Sequence, residues 1–174
     1  ERGEFEGKDY KDLAAGAPMS NIAVSFQRPE MIDCTVDEYI RLGNPQADER
    51  HVAEVKKLLG IGKGEGCTLD DEKQLGAGVN ISGGEQSRLG LAQALIKDSP
   101  IMILDEPTSG VDETMSANIV NHIAKLKESK TVVYITHDAK EIGKIGAYQA
   151  LDIGKELPED KINTMVKYDL TNQA

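Results

Sequence analysis

Residues 101–106 read Ile-Met-Ile-Leu-Asp-Glu, a short apolar run that delivers two carboxylates at its end. An apolar strand in an open α/β sheet carries such acids into the crevice at its C-terminal edge, where ligands bind. Asp105 at that position can hold Mg²⁺ directly or through water, because Mg²⁺ takes oxygen ligands and keeps several waters. Glu106, one residue on, can polarise an attacking water as a general base. The ordinary alternative is an acidic pair that simply ends a strand at the surface. Upstream, Ser82-Gly83-Gly84-Glu85 opens a helix. Free N–H groups and the positive dipole end at such a start favour an anion. Two glycines would let a phosphate approach the backbone; the alternative is an ordinary cap. His137 follows an apolar strand, as Gln27 does. Each can reach a phosphate, a metal or a water at the same edge, or merely finish its strand. Asp112 suits a helix N-cap and can also contact a neighbour.

These residues need elements to position them. The run 21–26 (NIAVSF) is a β-rich strand that Pro29 keeps from extending. Thr35-x-x-Glu38 and Ser82-x-x-Glu85 are capping boxes, so helices start there. The first reaches about Leu42. A further helix is expected over 48–59, where Val52, Val55 and Leu59 recur at helical spacing. Residues 68–80 read as irregular. The runs 101–104 and 131–136 (TVVYIT) read as parallel strands buried on both faces, with a helix from Asp112 between them. That helix would turn Met115, Ile119, Ile123 and Leu126 inward. A strand over 1–8, turns over 9–20, another strand near 147–153 and a helix from Pro158 complete the reading.

The chain has 174 residues, about one domain, with 39% hydrophobic and 29% charged residues and a net charge of -10. Such acidity argues against a nucleic-acid partner, which needs clustered Lys and Arg. Cys34 and Cys67 lack metal-ligand spacing and read as reduced thiols of a cytosolic protein. No apolar run is as long as a membrane-spanning helix requires.

Taken together, the ordered motifs resemble the nucleotide-binding domain of ABC transporter ATPases. ISGGEQ resembles the family's LSGGQ signature and IMILDEP its Walker B motif. SGVD is similar to its D-loop, THD to its His switch and FQRPE to its Q-loop. The resemblance implies an α/β fold: a parallel-sheet P-loop-type ATPase core over 1–27 and 81–174, with a helical subdomain over 28–80. It implies ATP and Mg²⁺ as cofactors, and a second nucleotide-binding domain that completes an ATP sandwich. Ser82, Gly83, Gly84 and Glu85 would then contact the partner's ATP, with Asp112 nearby. Asp105 and Gln27 would serve Mg²⁺, Glu106 would be the catalytic base, and His137 would sense the γ-phosphate. Gln27 would also couple the site to a transmembrane domain, at the cytoplasmic face of a membrane.

One departure stands out. No Gly-Lys pair fits the phosphate loop G-x-x-x-x-G-K-[ST]: Lys8, Lys63, Lys144 and Lys155 are followed by Asp9, Gly64, Ile145 and Glu156. GIGKGEG at 60–66 is expected to follow a helix, whereas the phosphate loop follows a strand. The core is therefore expected to be incomplete, its first strands and phosphate loop missing. The chain is either a portion of a longer ATPase or a protein that kept the trans-acting half. The uncovered sheet would favour a dimer, strand exchange or marginal stability. Residues 35–48 resemble exporter domains, while EPTSGVD is closer to importers and lipoprotein-release systems; the reading taken is exporter. Alternatives are a non-catalytic or trans-acting partner domain, and a non-transporter ATPase of the same type. Long heptads and basic segments that mark chromosome-maintenance and ribosome-associated relatives are not found here.

Overall fold

A computed structural model describes residues 20–146, together with two-residue strands at 4–5 and 8–9. Glu4–Phe5 (β1) and Lys8–Asp9 (β2) pair antiparallel, so the single strand expected over 1–8 is two. Of the turns expected over 9–20, Asp9 belongs to β2 and residues 10–19 lie outside the described residues, as do the strand and helix expected beyond 146.

The central sheet is parallel, in the order Ile22–Ser25 (β3), Ile101–Asp105 (β4), Thr131–Ile135 (β5). Ser25 lies opposite Leu104, and Asp105 opposite Ile135. This register brings the C-terminal ends of all three strands to one edge. Gln27, Glu106 and His137 leave the sheet there.

The helices are Val36–Arg41 (α1), Glu49–Leu58 (α2), Gly83–Lys97 (α3), Glu113–Leu126 (α4) and Ala139–Ile145 (α5). Each begins at a side-chain oxygen that accepts a backbone N–H of its first turn: Thr35, Asp48, Ser82, Asp112 and Asp138. Thr35 and Ser82 form full capping boxes with Glu38 and Glu85. A cap contributes about 1 kcal/mol. Packing holds α3 far more strongly, since Leu89, Leu91 and Ile96 are fully buried and each such side chain contributes about 1.5–3 kcal/mol. Helix α3 is the centre of the described fold, and β3, α1 and α2 all pack on it. Residues of α1 and α2 share one apolar cluster with β4, α3 and α4.

The sheet is covered on one face. Ala23, Met102 and Leu104 are buried there, with Val132 and Tyr134 packed against the cluster. On the opposite face Ile101 and Ile103 are only partly buried, and Val133 and Ile135 stay 46% and 44% exposed. The expectation that 101–104 and 131–136 are buried on both faces is therefore corrected. Among the described residues helices pack on one side only, so the β-branched residues of the other side remain open. Asp105 belongs to that open face, by alternation with Ile103.

An ion-pair network pins α1, α2 and the 68–75 segment together. Arg41 forks to Glu49 at 2.9 Å on both nitrogens and donates to Asp37 at 2.8 Å. Lys56 pairs with Asp37 and, at 2.9 Å, with Asp71. Burial opposes ionisation of Asp37, but hydrogen bonds from Lys56 and Arg41 outweigh it and lower its pKa. A depressed carboxylate pKa stabilises above the unfolded value and is lost as pH falls through the folded one. Melting temperature should thus fall more steeply in the wild type than in Asp37→Asn as pH drops below ~4. Equal slopes in the two proteins would remove Asp37 from the network's acid response.

Candidate functional site at the sheet edge

Glu106 turns the chain out of β4 with φ of 45°, a left-handed conformation that costs a non-glycine residue of order 1–3 kcal/mol. Its N–H donates to Ile135 O at 2.9 Å, which extends the β4–β5 ladder by one bond. Its carbonyl accepts Ser109 N–H at 2.9 Å and closes a tight turn over 106–109. The turn holds the Glu106 side chain at the sheet edge, where two residues distant in sequence meet it. Gln27 Nε2 donates to Oε2 at 2.7 Å, and His137 Nδ1 lies 2.8 Å from Oε1. One carboxylate is thus gripped on both oxygens, from the ends of β3 and β5.

A carboxylate accepts more than two hydrogen bonds, so Glu106 keeps lone pairs for a water. Gln27 and His137 fix its orientation. The hydrogen bond and charge of Glu106 raise the pKa of His137 above the usual histidine value. His137 is therefore protonated to higher pH than an ordinary histidine. Its cationic pairing with Glu106 is complete below the ordinary value and is lost as pH rises through the raised one. Its side chain is 84% exposed, so the ring faces solvent and a ligand can reach it.

Asp105 sits one residue before Glu106 on the open face. Among the described residues no group of three or more His, Cys, Asp and Glu side chains is arranged to hold a metal. Mg²⁺ is commonly bound by only one or two carboxylates, with phosphate oxygens and waters in the remaining positions. The donor set fits Mg²⁺ bound together with a phosphate ligand, and does not form a closed protein cage.

The start of α3 is a separate part of the site. Ser82 N–H and Oγ both donate to Glu85 Oε2 at 2.8 Å, and Ser82 Oγ accepts Glu85 N–H at 3.2 Å. Lys73 pairs with the other Glu85 oxygen at 3.2 Å. Burial works against the Glu85 charge, but these contacts prevail and lower its pKa. The two glycines differ. A Cβ on Gly83 would meet nothing within 4 Å, so its backbone is open to a ligand. A Cβ on Gly84 would lie 2.4 Å from Gly110 O. Gly83 is exposed and Gly84 half-buried. Gly84 serves a backbone-to-backbone contact with the turn that follows β4. Asp112, at the end of that turn, caps α4 by accepting Met115 N–H at 2.9 Å.

The loop 60–66 follows α2 and is tied to residue 69, with Ile61 bridging Leu69 and Gly62 N–H donating to Leu69 O. It follows a helix and not a strand, as expected from the sequence.

The ABC transporter family profile matches residues 1–109 of this chain. The chain belongs to the ABC transporter family. Its relatives include the glutathione/L-cysteine transport system ATP-binding/permease protein CydC of Escherichia coli, 31% identical over 82% of this chain and 25% of that protein. The β-(1→2)glucan export ATP-binding/permease protein NdvA of Nitrobacter winogradskyi is 32% identical over 76% and 22%. ABC transporter I family member 17 of Arabidopsis thaliana is 30% identical over 89% and 58%. The solved structure of a bacterial Atm1-family ABC exporter with ATP bound matches with a TM-score of 0.68 at 22% identity, over 81% of this chain and 25% of that one. That likeness establishes a shared ABC fold. This chain spans about a quarter of the length of the first two relatives. Among the described residues no helix is long and apolar enough to cross a membrane.

Sequence reasoning missed α5 and with it Glu141. The signal was present in an Asp138 cap and a Gly146 stop at φ of 62°. Seven residues carry too little apolar periodicity to stand out.

Proposed function

We propose that this chain supplies the Walker B, signature and His-switch portion of an ATP-hydrolysing domain that powers a transmembrane exporter at the cytoplasmic face of a membrane. The observation that carries the reading is the grip on Glu106 by Gln27 at 2.7 Å and His137 at 2.8 Å. A general base at a strand edge needs an oriented, ionised carboxylate, and three strand ends converge to make one. ATP would supply the phosphoryl group, and Mg²⁺ would neutralise its charge. Asp105 and Gln27 would hold the metal. Glu106 would take the proton of the attacking water. His137, cationic over a wider pH range than usual, would face the terminal phosphate.

Gly83 would present its backbone N–H, beside the capped Ser82, to an ATP bound by a second nucleotide-binding domain. Gly84 and Glu85 would shape that surface, and Asp112 would keep the adjacent turn in place. Residues 1–27 and 81–174 form the proposed ATPase core, and 28–80 the proposed helical subdomain facing the transmembrane partner. The open sheet face with Asp105 on it supports a phosphate loop from further polypeptide packing there. The relatives named ATP-binding/permease proteins support a fused or associated transmembrane domain and an export role.

The 174-residue chain by itself, with no G-x-x-x-x-G-K-[ST] sequence, is expected to bind Mg-ATP very weakly. Titration calorimetry with Mg-ATP tests this. Affinity in the micromolar range would show that the chain holds a complete nucleotide site, against the proposal.

A further inference from the structure

Behind the sheet edge lies a carboxylate that none of the motifs accounts for. Glu141 of α5 is 6% exposed, and among the described residues no Lys, Arg or His pairs with it. A buried ionised carboxylate is costly unless hydrogen bonds replace its water. Here hydroxyls do so. Thr108 Oγ1 donates to Oε1 at 2.6 Å, while Tyr134 OH and Thr136 Oγ1 donate to Oε2 at 2.9 and 2.7 Å. Ser116 Oγ reaches Oε1 at a marginal 3.5 Å. Burial and the Glu141 contact both raise the Tyr134 pKa, which keeps that hydroxyl a donor.

The donors come from segments that matter. Thr108 belongs to the 106–109 turn, which presents Glu106. Thr136 precedes His137, and its Oγ1 also accepts Asp138 N–H at 3.0 Å, so the residues flanking His137 are tied to one hydroxyl. Glu141 therefore bridges the turn that carries Glu106 and the loop that carries His137, one carboxylate oxygen to each.

We propose that Glu141 is a positioning residue that holds the Glu106 turn and the His137 loop in register, so that the Glu106–His137 contact forms. Its importance for hydrolysis rests on the function proposed above; the geometric role does not. A carboxylate suits the task because it only accepts, and can take hydroxyls from both loops at once. A glutamine there would turn an amide NH₂ toward hydroxyls already committed as donors. Thr136 Oγ1, occupied by Asp138 N–H, is poorly placed to accept a further one.

The test uses the chain without nucleotide, so its outcome is independent of the ATPase reading. The imidazoles of His51, His122 and His137 are titrated by NMR in the wild type, Glu141→Gln and Thr108→Val, with His137→Gln assigning the signal. Both variants should lower the His137 midpoint toward ~6.5; Glu141→Gln also removes a charge that raises it, as Asp138 does, so the shift in Thr108→Val, which keeps that charge, carries the test. The midpoints of His51 and His122 should not move. An unchanged His137 midpoint in a cooperatively unfolding variant would overturn the proposal. So would equal movement of all three histidines, which reports general loosening. Thr108→Val keeps the buried carboxylate and removes its link to the Glu106 turn, along with the Thr108–Tyr134 contact, so it decides the matter if Glu141→Gln does not fold.

Discussion

Alanine at Gly84 is expected to destabilise the protein by about 1–3 kcal/mol, whereas alanine at the adjacent Gly83 should cost almost nothing. The two changes are chemically identical and lie in the same helical turn. A Cβ at Gly84 would sit 2.4 Å from Gly110 O and 3.0 Å from Gly110 C, well inside any real contact. Both sides of that contact are backbone, so no rotamer change can relieve it. Gly110 has φ of 72° and its own Cβ would lie 2.7 Å from Gly84 Cα, so neither partner can take a side chain. Relief would require α3 to shift against the 106–112 segment, which carries Glu106 and Asp112. Alanine gains up to ~1 kcal/mol of helix propensity over glycine, which offsets only part of the clash. At Gly83 the same gain meets open space. Urea denaturation of the two variants measures the difference. Equal stabilities would mean that the start of α3 is not seated on this turn. The contact ties the start of α3 to the turn that follows β4.

The second large effect is on chemistry. In a polypeptide that includes a phosphate loop, Glu106→Gln should lower ATP turnover by about 10²–10⁴-fold, the usual contribution of a general base. Stability should change little, because an amide preserves shape and can still meet Gln27 and His137. The left-handed backbone at Glu106 remains equally strained with glutamine. Loss of the charge should also reduce the elevation of the His137 pKa, of which Glu106 is the largest cause. Turnover by the purified variant checks the first effect and thermal melting the second. Undiminished turnover would remove Glu106 from the base role.

Which parts of this were readable in the residues follows from the range of the forces involved. Helix starts were readable because capping is local chemistry. Thr35 with Glu38, Ser82 with Glu85, and Asp112 needed only their next three residues. The convergence of Gln27, Glu106 and His137 was readable because each follows an apolar strand, and parallel strands in register bring such ends to one edge. The split between Gly83 and Gly84 was not readable. It depends on Gly110, which approaches across the fold. The open face of β4 and β5 was hidden for a related reason. Ile101, Ile103, Val133 and Ile135 make both strands look buried throughout, since an apolar residue announces a need for cover and not its source. Glu141 was obscured by the opposite bias. A carboxylate on a short polar helix reads as a solvated surface group, and only the fold sets four hydroxyls around it.

The claim at the centre is that Glu106 and Gly83 of one chain belong to two different ATP sites. Mixing of variants tests it most directly. A full-length protein that contains this chain would be prepared with Glu106→Gln, and separately with Gly83→Trp, which fills the open helix start. Each alone should be nearly inactive. If the two residues serve different sites, a mixed dimer has one site free of both changes, and about a quarter of all sites in a random mixture are intact. Mixing should then restore turnover well above either variant. If turnover stays at the level of the separate variants while mixed dimers demonstrably form, the two residues serve the same site, and the division of the site between two chains is wrong.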